Sequence, residues 1–167
     1  MVPRPYQLDF FADDDDKPCL RWIRELTPAK RHAIGVAMEQ ILQNQGLAVW
    51  NEKAWGKQLG RGVFEFRLMR KRRYEVKQKG RKVGKVERIS LRVFCHAYGD
   101  QWILLLHGYD KGEDPKGRRQ QREIETARQR LRKWQSQQRA KKTAGLTRYG
   151  LKPIMVAAPQ PFEHQRI

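Results

Sequence analysis

The chain has 167 residues, with 36 Lys or Arg against 18 Asp or Glu and a formal net charge of +18 at pH 7. That length suits one domain with a tail, and the charge far exceeds what solubility needs, so it points to a polyanionic partner. The longest apolar run, residues 102–106 (WILLL), is much shorter than the roughly 20 residues of a membrane span, which argues against a membrane protein.

In chain order, residues 6–11 (YQLDFF) predict a first strand. The acidic run 13–16 precedes Pro18 and is expected to start a helix, its carboxylates complementing exposed N–H groups. Leu20, Trp22, Ile23 and Leu26 give that helix its apolar side. Thr27-Pro28 restarts the chain as a second helix, a capping hydroxyl and then proline at the first helical position, and Ile34, Ala37, Met38, Ile41 and Leu42 form one apolar stripe running to Gly46. The period then changes. In residues 63–68, Phe64, Phe66 and Leu68 oppose Glu65 and Arg67; in residues 91–97, Leu91, Val93 and Cys95 oppose Arg92, Phe94 and His96. Residues 101–109 predict a third strand of this group. Between the first two lies a basic insert, residues 70–90, whose segments 74–76 and 83–86 are expected to pair as a protruding hairpin. Residues 117–137 predict a basic helix with a narrow stripe of Ile124, Ala127, Leu131 and Trp134. Beyond residue 142 the pattern breaks, and Leu146, Tyr149, Ile154 and Phe162 are the side chains with which a tail would dock.

The expected fold is α+β: an N-terminal strand and helical hairpin on a small antiparallel sheet, then a C-terminal basic helix. The expected domain covers residues 1–137, with a basic tail at 138–167. The opposite sheet face would display Arg67 and Arg92. Cys19 and Cys95, far apart in apolar surroundings, read as small buried hydrophobes in a reducing compartment. With no apolar signal core near residue 1, a cytoplasmic location is expected. No metal site or cofactor is expected.

Several local motifs resemble the RelE/ParE toxin superfamily, and most closely its HigB-like, phage-derived branch. Residues 22–26 (WIREL) begin the likeness; residues 57–67 (KQLGRGVFEFR) look like that branch's K-x-L-x-x-G-[LV]-[FY]-E-[LF]-R stretch. Residues 91–94 (LRVF) resemble its YRVFY strand, residues 104–111 (LLLHGYDK) its VLLHGFxKK strand, and residues 122–128 (REIETAR) its last helix. The resemblance spans roughly residues 5–134 and implies a RelE-like fold. It also implies a type II toxin that acts as a metal-independent, ribosome-dependent mRNA endoribonuclease. Its partners would be mRNA on the ribosome and a cognate antitoxin, acidic where it docks and bearing a helix-turn-helix domain. Three departures stand out: the long insert, the lone Lys111 between Asp110 and Gly112 where the family has paired lysines, and no tyrosine at the start of the last helix.

RNA cleavage by a metal-free route needs a base for the 2′-hydroxyl, cations around phosphorus, and a proton source for the leaving 5′-oxygen. Guanidinium suits the second task, because its fork meets two phosphate oxygens; by resemblance, Arg67 and Arg92 are the functional strand arginines. His96 shares the face of Arg92 and titrates near neutrality. Glu65 shares the face of Arg67 and is a base or an orienting partner. Lys57 and Lys111 act as bases only where neighbouring cations favour the neutral amine. The residues alone do not choose among these four. His107 reads as a structural, hydrogen-bonded histidine, and His32 and His164 as surface residues. Trp50 and Trp55 read as cover for the helix pair, with base stacking the alternative.

Residues 67–92 hold twelve Lys/Arg and two Glu, and residues 116–142 eleven Lys/Arg and two Glu. Flanking one sheet face, they would funnel phosphates, with Lys53, Arg70, Lys71, Arg72, Arg73, Lys116, Arg118 and Arg119 as RNA contacts and the insert reaching towards ribosomal RNA. Two other functions fit the same fold: ParE-like inhibition of DNA gyrase, and non-catalytic nucleic-acid binding.

Overall fold

The computed structural model describes residues 5–113 and 117–148. By its contacts the chain divides into two compact units, Met1–Trp134 and Gln135–Ile167. The sheet, the N-terminal helices, the last helix as far as Trp134 and the candidate site belong to the first.

The elements are β1 (Gln7–Phe10), α1 (Pro18–Glu25), α2 (Pro28–Ala37), β2 (Gly56–Gly60), β3 (Val63–Gln78), β4 (Arg81–Tyr98), β5 (Trp102–Asp110) and α3 (Gly117–Arg148). After Ala37 the helix continues through a π-helical turn (Met38–Leu42) and a last α-turn (Gln43–Gln45); a 3-10 helix (Gly46–Asn51) follows. Five strands form one sheet in the order β1-β5-β4-β3-β2. β2 to β5 pair antiparallel in succession, whereas β1 lies parallel to β5. The expected all-antiparallel sheet is therefore corrected to a mixed one, and β2 is a strand that residue alternation did not reveal.

One core lies between the sheet and the helical hairpin. Ile34, Ala37, Met38 and Leu42 from the predicted stripe meet Phe64, Phe66, Leu68, Leu91, Val93, Cys95, Ile103 and Leu105. Both cysteines are buried there as free thiols. Helix α1 docks where β5 has no side chain: a Cβ on Gly108 would stand 2.2 Å from a carbon of the Trp22 ring. A second core covers the other face. Ile124, Ala127 and Leu131 of α3 pack on Phe11, Val63, Phe94, Leu104, Leu106 and Tyr109, with Trp134 at the margin. The expectation of an open second face is thus overturned, because residues 103–106 of β5 are apolar on both sides and need cover on both.

Two helix starts differ from expectation. Residues 13–16 form a tight turn bridged between Asp13 and Asp16, and the first turn of α1 contains no acidic residue. Asp16 instead pairs with Arg21, and Asp13 with Lys133 of α3. Thr27 stands at the cap of α2, but its side chain makes no capping hydrogen bond; Pro28 at the first helical position carries the start.

The insert is a continuation of β3 and β4. The pairing runs unbroken from Phe64↔Cys95 to Gln78↔Arg81, including Tyr74↔Lys85 and Val76↔Val83 as expected. Lys79 and Gly80 close it, with φ of 47° and 76°. Positive φ at both central residues is the geometry of a two-residue turn that matches strand twist. Helix α3 extends well past the expected end at residue 137. Tyr149, Ile154, Phe162 and His164 lie outside the described residues, as does Lys116.

Candidate functional site

Sheet register brings the sequence-predicted residues into two adjacent rows. In one, Lys57 stands opposite Glu65, Glu65 opposite Phe94, and Phe94 opposite His107; in the next, Arg67 faces Arg92 and Arg92 faces Tyr109. Side chains of register partners share a face. A β-bulge between Phe94 and Cys95 sets which face His107 and Tyr109 occupy. Simple alternation would turn both towards Leu105 and the helical hairpin. With the extra residue they turn towards α3 instead, beside Arg92.

Glu65 is the hub and is fully buried. Its Oε1 accepts a hydrogen bond from Arg67 Nε at 2.6 Å, and its Oε2 accepts one from Gln120 Nε2 at 3.1 Å. Arg92 Nε stands 3.0 Å from Oε1 but lacks a hydrogen-bonding alignment, so that contact is an ion pair only. Arg92 is buried and donates from Nη1 to the Leu91 carbonyl at 3.1 Å. Burial pushes its guanidinium below the usual arginine range; Glu65 opposes that shift and Arg67 adds to it. Arg67 is the more open of the two, its side chain 21% exposed. Only its Nε is engaged by Glu65.

Helix α3 covers this face through residues at helical spacing. Lys111 Nζ donates to Gln120 Oε1 at 3.2 Å, so Gln120 links the end of β5 to Glu65. Arg119 Nε donates to Glu123 Oε1 at 3.1 Å, and its guanidinium lies 5.7 Å from the centre of the Tyr109 ring. His107 Nε2 is 2.5 Å from Glu123 Oε2, while Arg130 Nη1 is 2.8 Å from His107 Nδ1. Arg130 has only donors, so Nδ1 must accept and Nε2 must carry the proton. The imidazole is therefore neutral, consistent with burial pushing its pKa down despite the Glu123 partner. Tyr109 stacks on Phe94, and its hydroxyl is buried with no hydrogen-bond partner among the described residues. Burial first, then the Glu65 charge, raise Tyr109 to about 12, so it keeps its proton.

Glu65, Arg67 and Arg92 are thus together, with Lys57 on the exposed edge strand and Lys111 at the α3 side. His96 is not among them. It lies four residues along β4 from Arg92, about 13 Å of strand; its Nδ1 is 2.7 Å from the Gly62 carbonyl oxygen, and its ring meets Trp134. That removes His96 from the Glu65–Arg67–Arg92 cluster. Of the expected RNA contacts, Arg70, Lys71, Arg72 and Arg73 are exposed along the hairpin, Lys53 is exposed before β2, and Arg118 is exposed at the start of α3. Arg119 is tied into the His107–Glu123 network. Trp50 packs edge-on against Phe64, as the cover reading expected.

Tyr109, Gln120, Glu123 and Arg130 belong to the site, and residue spacing did not single them out. The helical spacing of 119, 120 and 123 was legible, but their partners 16 to 55 residues away were not. Among the described residues no three His, Cys, Asp or Glu side chains gather as metal ligands, and no helix is long and apolar enough to cross a membrane. At its surface the cluster presents the restrained Arg67 guanidinium and two flanking amines, with Arg92 and the Tyr109 phenol buried behind them, a set suited to holding a phosphodiester at Arg67. No protein-family model matches the sequence, and comparison with curated proteins gives no match.

Proposed function

We propose that this chain is an RNA-directed toxin of the RelE/HigB kind that cleaves translated mRNA on the ribosome. The observation that carries the reading is the Arg67–Arg92 pair, opposite each other in register, anchored on Glu65 and continuous with an open basic strand face. In this reading the ribose 2′-hydroxyl attacks the adjacent phosphorus, a 2′,3′-cyclic phosphate forms, and the bond to the 5′-oxygen breaks. Glu65 fixes Arg67 through Nε, leaving its two Nη groups to meet phosphate oxygens as charge builds. Arg92, more deeply placed, adds positive potential from behind. Of the candidate proton carriers, Lys57 and Lys111 flank Arg67: one takes the proton from the 2′-hydroxyl and the other, as an ammonium, returns one to the leaving 5′-oxygen, while the buried Tyr109 hydroxyl takes no part. Glu65 orients and does not act as the base, since both its oxygens are engaged. The antitoxin would be a protein with an acidic surface that covers the basic face.

A second reading, RNA binding without cleavage, is favoured by one feature: α3 lies over Arg92 and Glu65, so only Arg67 and the flanking amines reach the surface. Brief expression in bacteria, with transcript ends mapped and gyrase supercoiling measured in parallel, separates the possibilities. New ends within translated mRNA are expected. Intact transcripts with inhibited gyrase would favour the ParE-like alternative, and intact transcripts with normal gyrase would leave binding alone.

A further inference from the structure

Beyond the Arg70↔Ile89 pair, the β3–β4 ribbon leaves the body of the protein as an arm. Ile89 is the last buried residue on it, and from Lys71 to Arg88 every residue is exposed except the half-buried Val76 and Glu87. Eight residues from Lys71 to Gln78 reach about 25 Å. The arm carries ten Lys and Arg and two Glu over residues 69–90. Only Lys82 has a carboxylate within ion-pair distance among the described residues, Glu75 at 3.4 Å.

The charges lie on both faces. Alternation outward from Leu68 and Leu91 puts Arg70, Arg72, Arg81 and Lys85 on the face of the helical hairpin. Alternation outward from Arg67 and Arg92 puts Lys71, Arg73, Lys77, Lys82 and Arg88 on the other. Lys79 sits in the tight turn at the tip. Same-face neighbours two residues apart recur about every 6.6 Å.

We infer that this arm is an insertion element for folded RNA, lodging between two phosphate backbones that approach each other. A ribbon lying on one flat polyanionic surface needs one basic face; two basic faces make sense when phosphates stand on both sides. A ribbon seated in a B-form major groove turns one face to the base edges and the other to solvent, which would leave one of the two basic faces here without phosphates. Single strands are gripped by stacking on aromatic rings, and the arm's one aromatic, Tyr74, lies beneath Arg72, 5.7 Å from guanidinium to ring centre. Lipid is disfavoured because residues 77–82 at the tip (KQKGRK) include no apolar side chain. The inference concerns binding and does not depend on cleavage at Arg67.

The test uses the full chain and two fourfold variants, one per face: K71Q/R73Q/K77Q/R88Q and R70Q/R72Q/R81Q/K85Q. Binding is measured against salt for a three-helix-junction RNA, an oligouridine of the same length and a B-form DNA duplex, with thermal melts verifying that the variants fold. Each cation that leaves a phosphate lowers the slope of log affinity against log salt by about 0.7–0.9. Either variant is expected to lose at least tenfold in affinity for the junction at 0.15 M salt, with a slope smaller by about 1.5–3.5. The wild type is expected to prefer the junction to oligouridine and to the duplex. If one face proved dispensable, or oligouridine or B-form duplex bound as tightly as the junction, the inference would be overturned. The same holds if polyglutamate or phosphatidylserine vesicles competed as well as RNA per charge. Failure to cut mRNA would leave these outcomes unaffected, so the two proposals fail separately.

Discussion

Replacing Glu65 with Ala removes the one carboxylate that Arg67 and Arg92 share. Glu65 is fully buried and Arg92 nearly so, with side chains 0% and 6% exposed. In the variant, Arg92 keeps its buried charge with Arg67 as a neighbour, and the Gln120 amide loses its acceptor. Breaking a buried ion pair by removing one partner costs about 3–5 kcal/mol. For a chain of this size each kcal/mol moves Tm by about 2–4 °C, so a loss of roughly 6–20 °C is expected. The double variant Glu65→Met/Arg92→Met removes both charges and fills the space. It should lose at least about 2 kcal/mol less than the sum of the two single Met variants, because the penalty lies in the orphaned charge. Urea unfolding of the four proteins closes the cycle. If Glu65→Ala lay within about 1 kcal/mol of the parent, the ion cluster would not be holding α3 and the sheet together.

Tyr109→Phe removes a buried hydroxyl without a partner, so Tm should stay level or rise slightly and transcript cleavage should stay within about twofold of the parent; a clear fall in Tm would show that the hydroxyl has a partner. Because burial favours neutral His107, the folded state binds a proton less readily than the unfolded chain, whose imidazole titrates near 6.5. The stability linked to His107 is complete above that pH and declines as pH falls through it. Urea unfolding between pH 7.5 and 5.5 should show a loss that His107→Gln reduces, and equal losses in both proteins would contradict the tautomer assigned here. Gly108→Ala drives a methyl group into the Trp22 ring and should cost about 1–3 kcal/mol; a thermal melt unchanged from the parent would show that α1 docks elsewhere.

The elements that were legible in the sequence are those whose signal is local. The stripe from Ile34 to Leu42 and the alternation around Phe64 and Leu91 each report a single buried face, and the shared face of Arg67 and Arg92 follows from that alternation, whereas their direct pairing is set by register. The missing parts depend on long-range events. β1 pairs with a strand some 95 residues later, and no turn chemistry announces a parallel partner. The bulge beside Phe94 moves His107 and Tyr109 to the opposite face, which inverts the alternation read from Leu105. The apolar run at residues 103–106 did carry a clue, since a strand apolar on both sides must be covered on both, and the Ile124–Ala127–Leu131 stripe was its cover. His96 was placed with Arg92 on face alone; distance along the strand separates them.

Cleavage would depend first on Arg67, the guanidinium that is both anchored by Glu65 and partly open to the surface. A translating extract programmed with one defined mRNA and given purified wild-type chain or Arg67→Ala measures it directly, with cut ends quantified over time. Cleavage is expected for the wild type, with a rate on the order of 10²-fold lower for the variant, both assayed at a temperature where thermal melts show them folded. Intact mRNA with the wild type, or equal rates for the two proteins, would contradict it.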